Sequence, residues 1–265
     1  FTDASGNNST AATQFNWTFD STVPTISSVS LNAANTALTV TFSENVYDTT
    51  GGSGDLEAAD FAVSRGAGGT ATVAATPTDI NKSSNKIWVL TLGITGTANG
   101  SEVITVVPAS GTSIYDVAAN AASTSQSNNT ATFNDKAAPT MTITAGGGVS
   151  DGDTSNDATL SLTFTSSEST TNFIKSDIVV AGGTLGDLSG SGTTYTATFT
   201  PSASGATTID VAAGTFTDAA SNDNTAASQF NWTYDGTAPT MTITAAEVSD
   251  GDTSKDATLA LTFTS

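Results

Sequence analysis

The chain has 265 residues, six Lys and Arg against 25 Asp and Glu, a formal net charge of −19, and neither Cys nor His. Disulfides, zinc sites built on Cys or His, thiol nucleophiles and every triad that needs an imidazole are thereby excluded. Nucleic acid and anionic membrane surfaces would be repelled, so neither is an expected partner. No apolar run approaches the ~18 residues that span a bilayer, so no membrane insertion is expected in this segment. The first residues also lack the charged start and apolar middle of a signal peptide, so a targeting signal, if any, is expected outside this segment.

The length suits about two domains of ordinary size, and in chain order the first signal is a repeat. Residues 1–25, FTDASGNNSTAATQFNWTFDSTVPT, return as 216–240, FTDAASNDNTAASQFNWTYDGTAPT. From Thr140, TMTITAGGGVSDGDTSNDATLSLTFTS returns from Thr240 with one residue deleted. The period is about 100 residues, and a Pro-Thr step marks each junction. The expected organisation is a C-terminal repeat fragment at 1–23, a divergent repeat at 24–138, a second repeat at 139–238 and the N-terminal fragment of another at 239–265.

Within the repeats the hydrophobic period is two. Leu38, Val40 and Phe42 alternate with Thr. So do Leu160, Leu162 and Phe164, then Tyr195, Ala197 and Phe199, and at the end Phe230, Trp232 and Tyr234. Such alternation describes half-buried strands with one wet face. Thr on the outer face favours extended backbone without adding apolar surface, and clusters of Gly, Asn, Asp and Ser between the runs supply turns. About seven short strands per repeat, with no amphipathic helix, predict an all-β fold of tandem immunoglobulin-like Greek-key β-sandwich domains. With no Cys pair to staple them, the cores must rest on aliphatic and aromatic packing, and Trp17, Trp88 and Trp232 are expected in the core or at its edge.

If seven strands A to G run alternately up and down, the BC and FG loops return to the end where the linker enters. In the second full repeat, A lies near Met141 to Ala145, B near Thr159 to Thr165, F near Thr207 to Ala212 and G near Gln229 to Tyr234. Three separated stretches then converge, carrying Asp135 from the linker, Glu168 after strand B, and Asp218 with Asn222 from the FG loop. The first repeat supplies the matching Asp20, Glu44, Asp116 and Asn120. The fragments keep their share as Asp3, Asn7 and Asp235, and Asp60 and Asp177, each preceding a strand, are expected to approach the same site. Several carboxylate and carbonyl oxygens in an irregular shell suit Ca²⁺ better than the octahedral Mg²⁺. The competing reading is local, since Asp and Asn also cap turns by bonding their own backbone.

Other features read more simply. The Asp-rich segment Asp151, Asp153 and Asp157, repeated as Asp250, Asp252 and Asp256, lacks the spacing and terminal Glu of an EF-hand and reads as a turn at the opposite pole. The Asn-x-Ser/Thr triplets at Asn16, Asn128 and Asn231 are expected by chance in so Asn- and Thr-rich a chain.

The DxTxPT linkers, FTDAxxN loops and QFNWT final strand make the second full repeat and both fragments resemble the bacterial immunoglobulin-like repeats of very long surface adhesins and biofilm proteins. The first full repeat, with VTFSENVYDTTGGSGDLEAADFAV and NGSEVITVVP, resembles repeats of giant cell-surface proteins of marine bacteria. The resemblance implies a secreted, cell-surface tether with calcium at repeat junctions. Its linker ligands would be Asp20, Asp135 and Asp235, its BC-loop ligands Glu44 and Glu168, and its FG-loop ligands Asp116, Asn120, Asp218 and Asn222. The first repeat departs from the pattern in lacking the DGDTS turn. The expected partners are neighbouring repeats of one long chain, or other copies in a filament. The leading function is a non-enzymatic structural spacer. Alternatives are a glycan- or ligand-binding module, a filament subunit that assembles by strand complementation through Gln14 to Phe19 and Thr258 to Thr264, or an accessory region of a secreted enzyme. Paired acids such as Glu44 and Asp48 would serve glycosidase chemistry only in a cleft.

Overall fold

A computed structural model describes all 265 residues and contains strands and two 3-10 turns but no α-helix. No helix is therefore long and apolar enough to cross a membrane. The chain divides into two compact units, Phe1–Ala137 and Ala138–Ser265.

In the first unit the strands are β1 (Ile26–Leu31), β2 (Ala37–Phe42), β3 (Phe61–Arg65), β4 (Thr72–Val73), β5 (Asp79–Ser84), β6 (Ile87–Thr91), β7 (Ile94–Thr95), β8 (Val103–Pro108) and β9 (Thr130–Thr132). One sheet has the order β1-β2-β6-β5 and the facing one β3-β8-β9, with β4 and β7 as a small separate ribbon. In immunoglobulin terms these are A-B-E-D against C-F-G. The alternation in β2 explains the layering, because Leu38, Val40 and Phe42 are all fully buried between the sheets while the intervening Thr residues are partly wet. Across the interface they meet Phe61 and Val63 of β3 and Ile104 and Val106 of β8, with the Phe42 and Phe61 rings 6.3 Å apart. Each such side chain is worth about 1.5–3 kcal/mol of burial, and the core holds no cross-link. Glu102 is also fully buried, just before β8. Its carboxylate accepts the N–H groups of Thr70, Ala71 and Asn99 at 3.0–3.1 Å. Burial pushes its pKa up, but the backbone donors outweigh that and hold it below the ordinary glutamate value.

The second unit contains β10 (Met141–Ala145), β11 (Thr154–Ser155), β12 (Leu160–Thr170), β13 (Ile178–Ala181), β14 (Gly183–Leu185), β15 (Ser189–Pro201), β16 (Gly205–Val211) and β17 (Phe230–Tyr234). Its sheets are β10-β12-β15-β14 and β11-β17-β16-β13. This is A-B-E-D against A′-G-F-C. The A′ strand is the one element without a counterpart in the first unit, and it pairs parallel to β17 through Thr154–Thr233 and Ser155–Tyr234. The core holds Leu160, Leu162, Phe164, Phe199, Ile209, Phe216 and Trp232, and Trp232 stands edge-on to Phe199 at 6.3 Å. Both units thus have the expected Ig-like sandwich architecture.

The outlying segments differ from the sequence expectation. Residues 10–23 form no strand, and Phe15, Trp17 and Phe19 are 87, 72 and 74% exposed. Trp17 is therefore not a core residue here. Its counterpart Trp232 is 1% exposed, with β16 paired beside it and Phe199 packed against its ring; no strand pairs with residues 14–19. At the other end β18 (Thr242–Ala245) pairs with β19 (Leu261–Thr264), so the latter is paired along one edge, with Ile243 and Phe263 exposed.

Candidate metal centre

The inward face of strand B runs past the hydrophobic core to one pole of each sandwich. In the first unit the series Leu38, Val40, Phe42 continues two residues on to Glu44, which is half-buried. In the second, Leu160, Leu162, Phe164 and Ser166 lead to Glu168. Strand B there extends to Thr170, with an irregularity between Thr165 and Thr170. Glu168 is thus within the strand rather than after it, on the inward-facing register where a period of two places it.

The FG loop supplies the second carboxylate through a repeated five-residue turn. Asp116 Oδ1 accepts the backbone N–H of Asn120 at 2.7 Å, and Asp116 Oδ2 accepts its side-chain amide at 2.8 Å. The bonds recur from Asn222 to Asp218 at 2.9 and 2.8 Å, and from Asn7 to Asp3 at 3.0 and 2.9 Å. The turn needs a left-handed residue just before the Asn, met by Gly6, Ala119 and Ser221 at φ of 82°, 70° and 68°. Asn120 Nδ2 also reaches the backbone carbonyl of Asp20 at 3.2 Å, tying the FG loop to the linker. The linker aspartates share a turn of their own: Oδ1 of Asp20, Asp135 and Asp235 accepts the N–H of Thr22, Ala137 and Thr237 at 2.9, 2.9 and 3.0 Å.

These elements bring Asp20, Glu44 and Asp116 together, and likewise Asp135, Glu168 and Asp218, with one carboxylate oxygen from each residue within 4.8 Å of the others. In each trio the FG-loop aspartate is buried and the other two are half-buried. Two oxygens bound to one Ca²⁺ at about 2.4 Å can lie at most about 4.8 Å apart, so the spacing fits a shared hard cation. Three carboxylates with no nitrogen or sulfur donor fit Ca²⁺ and not a soft metal. Electrostatics point the same way. Burial first, then the charges of Asp116 and Asp20, push the Glu44 pKa above the ordinary glutamate value, with Lys86 offsetting part of the rise.

The remaining expected ligands sit differently. In both full domains the Asn side-chain nitrogen faces the FG-loop aspartate, so Asn120 and Asn222 hold that carboxylate in place. Asp60 and Asp177 belong to neither trio. Each ends a 3-10 turn before strand C, where its Oδ2 accepts the N–H of Glu57 at 2.7 Å or Ile174 at 2.8 Å. Local backbone bonding claims them, as it does many aspartates before strands. Asp235 and the Asp3–Asn7 pair keep their local turns but meet no complete trio.

The DGDTS segment is a turn with a use that composition did not disclose. Asp151 Oδ1 accepts the backbone N–H of Asn231 at 2.6 Å, and the carbonyls of Asp153 and Ser155 accept from Thr233 and Asp235 at 2.9 Å each. The segment lies along the last strand, where Ser155 Oγ also accepts Trp232 Nε1–H at 3.0 Å. Sequence reading also missed Asn35, a buried residue at φ 62° in the AB turn of the first unit. Its left-handed position in an Asn-Ala-Ala-Asn turn was the available signal.

The fold and the trios define a pair of Ig-like sandwiches, each with an acidic pole where its linker enters. Residues 135–234, from Asp135 to the end of β17, match the model of the bacterial Ig-like domain family. No curated protein matches the chain. Among solved structures, the Escherichia coli adhesin FdeC is similar at 16% identity over 79% of this chain and 63% of that one, with a TM-score of 0.33. The chain thus spans less than two thirds of the length of that structure.

Proposed function

We propose that the chain is a non-enzymatic spacer from a bacterial cell-surface adhesin or surface filament, extracellular, with calcium bound at the linker pole of each domain to stiffen the array. The observation that carries this reading is the recurrence of one Asp-Glu-Asp trio in two domains whose sequences diverge through their middles. A bacterial Ig-like domain at 135–234 suits surface display. A net charge of −19 suits saline surroundings, where salt screens self-repulsion beyond about 8–10 Å. Extracellular calcium modules bind at about 10⁻⁴ to 10⁻³ M. At tenfold excess each site would add only about 1.4 kcal/mol, so the larger effect of the ion falls on bending at the linkers. The partners are then neighbouring repeats of the same chain, or other copies in a filament.

Small-angle scattering of the whole chain with calcium and with chelator, alongside calorimetric titration, tests the reading. An extended rod that loosens on chelation, with two ions taken up, is expected. Identical profiles and no calcium uptake would eliminate the clamp.

A further inference from the structure

In both domains the AB turn holds the chain at, or next to, the linker aspartate that follows the last strand. In the first unit Asn35 and Asn134 form a reciprocal pair. Asn35 Nδ2 donates to the Asn134 carbonyl at 2.8 Å, and Asn35 Oδ1 accepts both the backbone N–H and the side-chain amide of Asn134 at 2.8 and 2.9 Å. Asn134 Nδ2 also donates to the carbonyl of Asn32 at 3.1 Å. Asn134 immediately precedes Asp135. On the other side, the loop before β8 accepts Phe133 N–H on the Glu102 carbonyl at 2.9 Å and Lys136 N–H on the Ala98 carbonyl at 2.8 Å. Gly100, at φ 76°, lets the Asp135 backbone come so close that an added methyl would sit 3.3 Å from its Cβ. The buried Glu102 carboxylate fixes this loop through Asn99. In the second unit the AB segment does the same work with different atoms, through Asp151 to Asn231, Asp153 to Thr233 and Ser155 to Asp235.

Two unrelated AB sequences, Asn-Ala-Ala-Asn and Asp-Gly-Asp-Thr-Ser, therefore reach the same end, a last strand pinned up to its linker aspartate. We propose that the AB turn of each domain is a positioning device for the linker aspartate that follows its own last strand, with Asn35 setting Asp135 and Asp151 to Ser155 setting Asp235. Resting on the calcium reading, this means that each linker aspartate is a ligand already fixed by its own domain before an ion binds. Ordering the linker before the ion arrives removes an entropic cost from binding. It also makes stiffness depend on residues that never touch the ion.

The test uses the full chain carrying Glu44→Gln, which silences the first trio, with and without Asn35→Gly. Glycine accepts the positive φ and removes the Asn35 side chain, its amide included. In the metal-free state, backbone hydrogen exchange at Asn134 and Lys136 should quicken at least tenfold in the Asn35→Gly variant. Calcium affinity at the Asp135 trio should fall about fivefold. Asn35→Asp, which keeps the acceptor, should retain most of the Asn134 protection. Unchanged exchange at Asn134 overturns the clamp, and faster exchange with unchanged calcium affinity overturns its positioning role. If the Glu44→Gln parent takes up no calcium at all, the calcium reading fails separately, while the exchange arm still decides whether the AB turn holds the linker. Asp151→Ala, read by exchange at Asn231 and Asp235, provides the second-domain counterpart; unchanged exchange there overturns the proposal for that domain.

Discussion

Replacing Glu44 by Gln should change sign with calcium, and that reversal separates a cation site from an ordinary acidic surface. With one oxygen from each of Asp20, Glu44 and Asp116 within 4.8 Å of the others, one pair of full charges at that distance repels by about 0.9 kcal/mol in water and about 3.5 kcal/mol at an effective dielectric of 20. Glu44 and Asp20 are half-exposed, so the lower part of that range applies, and removing one charge should stabilise the metal-free first unit by about 1 kcal/mol. The pH dependence carries the same sign. The Glu44 pKa is raised by burial and by its acidic neighbours, so the native state holds this proton more tightly than the unfolded chain does. The resulting stabilisation is fully present below the ordinary glutamate pKa and is lost as pH rises from there through the raised value. The variant should lack that decline. At 10 mM calcium the effect reverses. A site of about 10⁻³ to 10⁻⁴ M would add about 1.4–2.7 kcal/mol to the native protein, and loss of one charged ligand should remove most of it. Scanning calorimetry of both proteins in chelator and in calcium measures the effect. A shift of the same sign in both conditions, or calcium stabilisation that survives Glu44→Gln, would refute the reasoning.

Two further outcomes follow from backbone and core. Ala119→Gly and Ser221→Gly relieve left-handed non-glycine residues at φ 70° and 68°; each should stabilise its own unit by about 0.5–1 kcal/mol in urea unfolding, and a loss would show that the turn is not strained. Trp88 and Trp232 are both 1% exposed, yet Trp88 Nε1 is buried without a partner while Trp232 Nε1 donates to Ser155. Trp→Phe opens a similar cavity at each but removes an unpaired donor only at position 88. Even after loss of the Lys82 contact to the Trp88 ring at 5.4 Å, Trp88→Phe should cost about 1–2 kcal/mol less than Trp232→Phe. Equal costs would count against the unpaired donor.

What the sequence disclosed was whatever is carried by period and by recurrence. Alternation of large apolar residues with Thr placed strand A at Met141–Ala145 and the inward faces of B, E and G, because a period of two admits one buried face. Recurrence marked Asp20, Glu44 and Asp116 against Asp135, Glu168 and Asp218, since turn chemistry alone gives no reason for three separated stretches to repeat together. The sequence did not separate carboxylates that face the pole from those held by their own backbone. Asp60 and Asp177 precede strands as plausibly as Asp20 and Asp135 do, and only the path of the 3-10 turn tells them apart. Nor did it disclose the grip of the AB turn on the last strand, in which Asn35 and Asn134 lie 99 residues apart and Asp151 and Asn231 lie 80 apart.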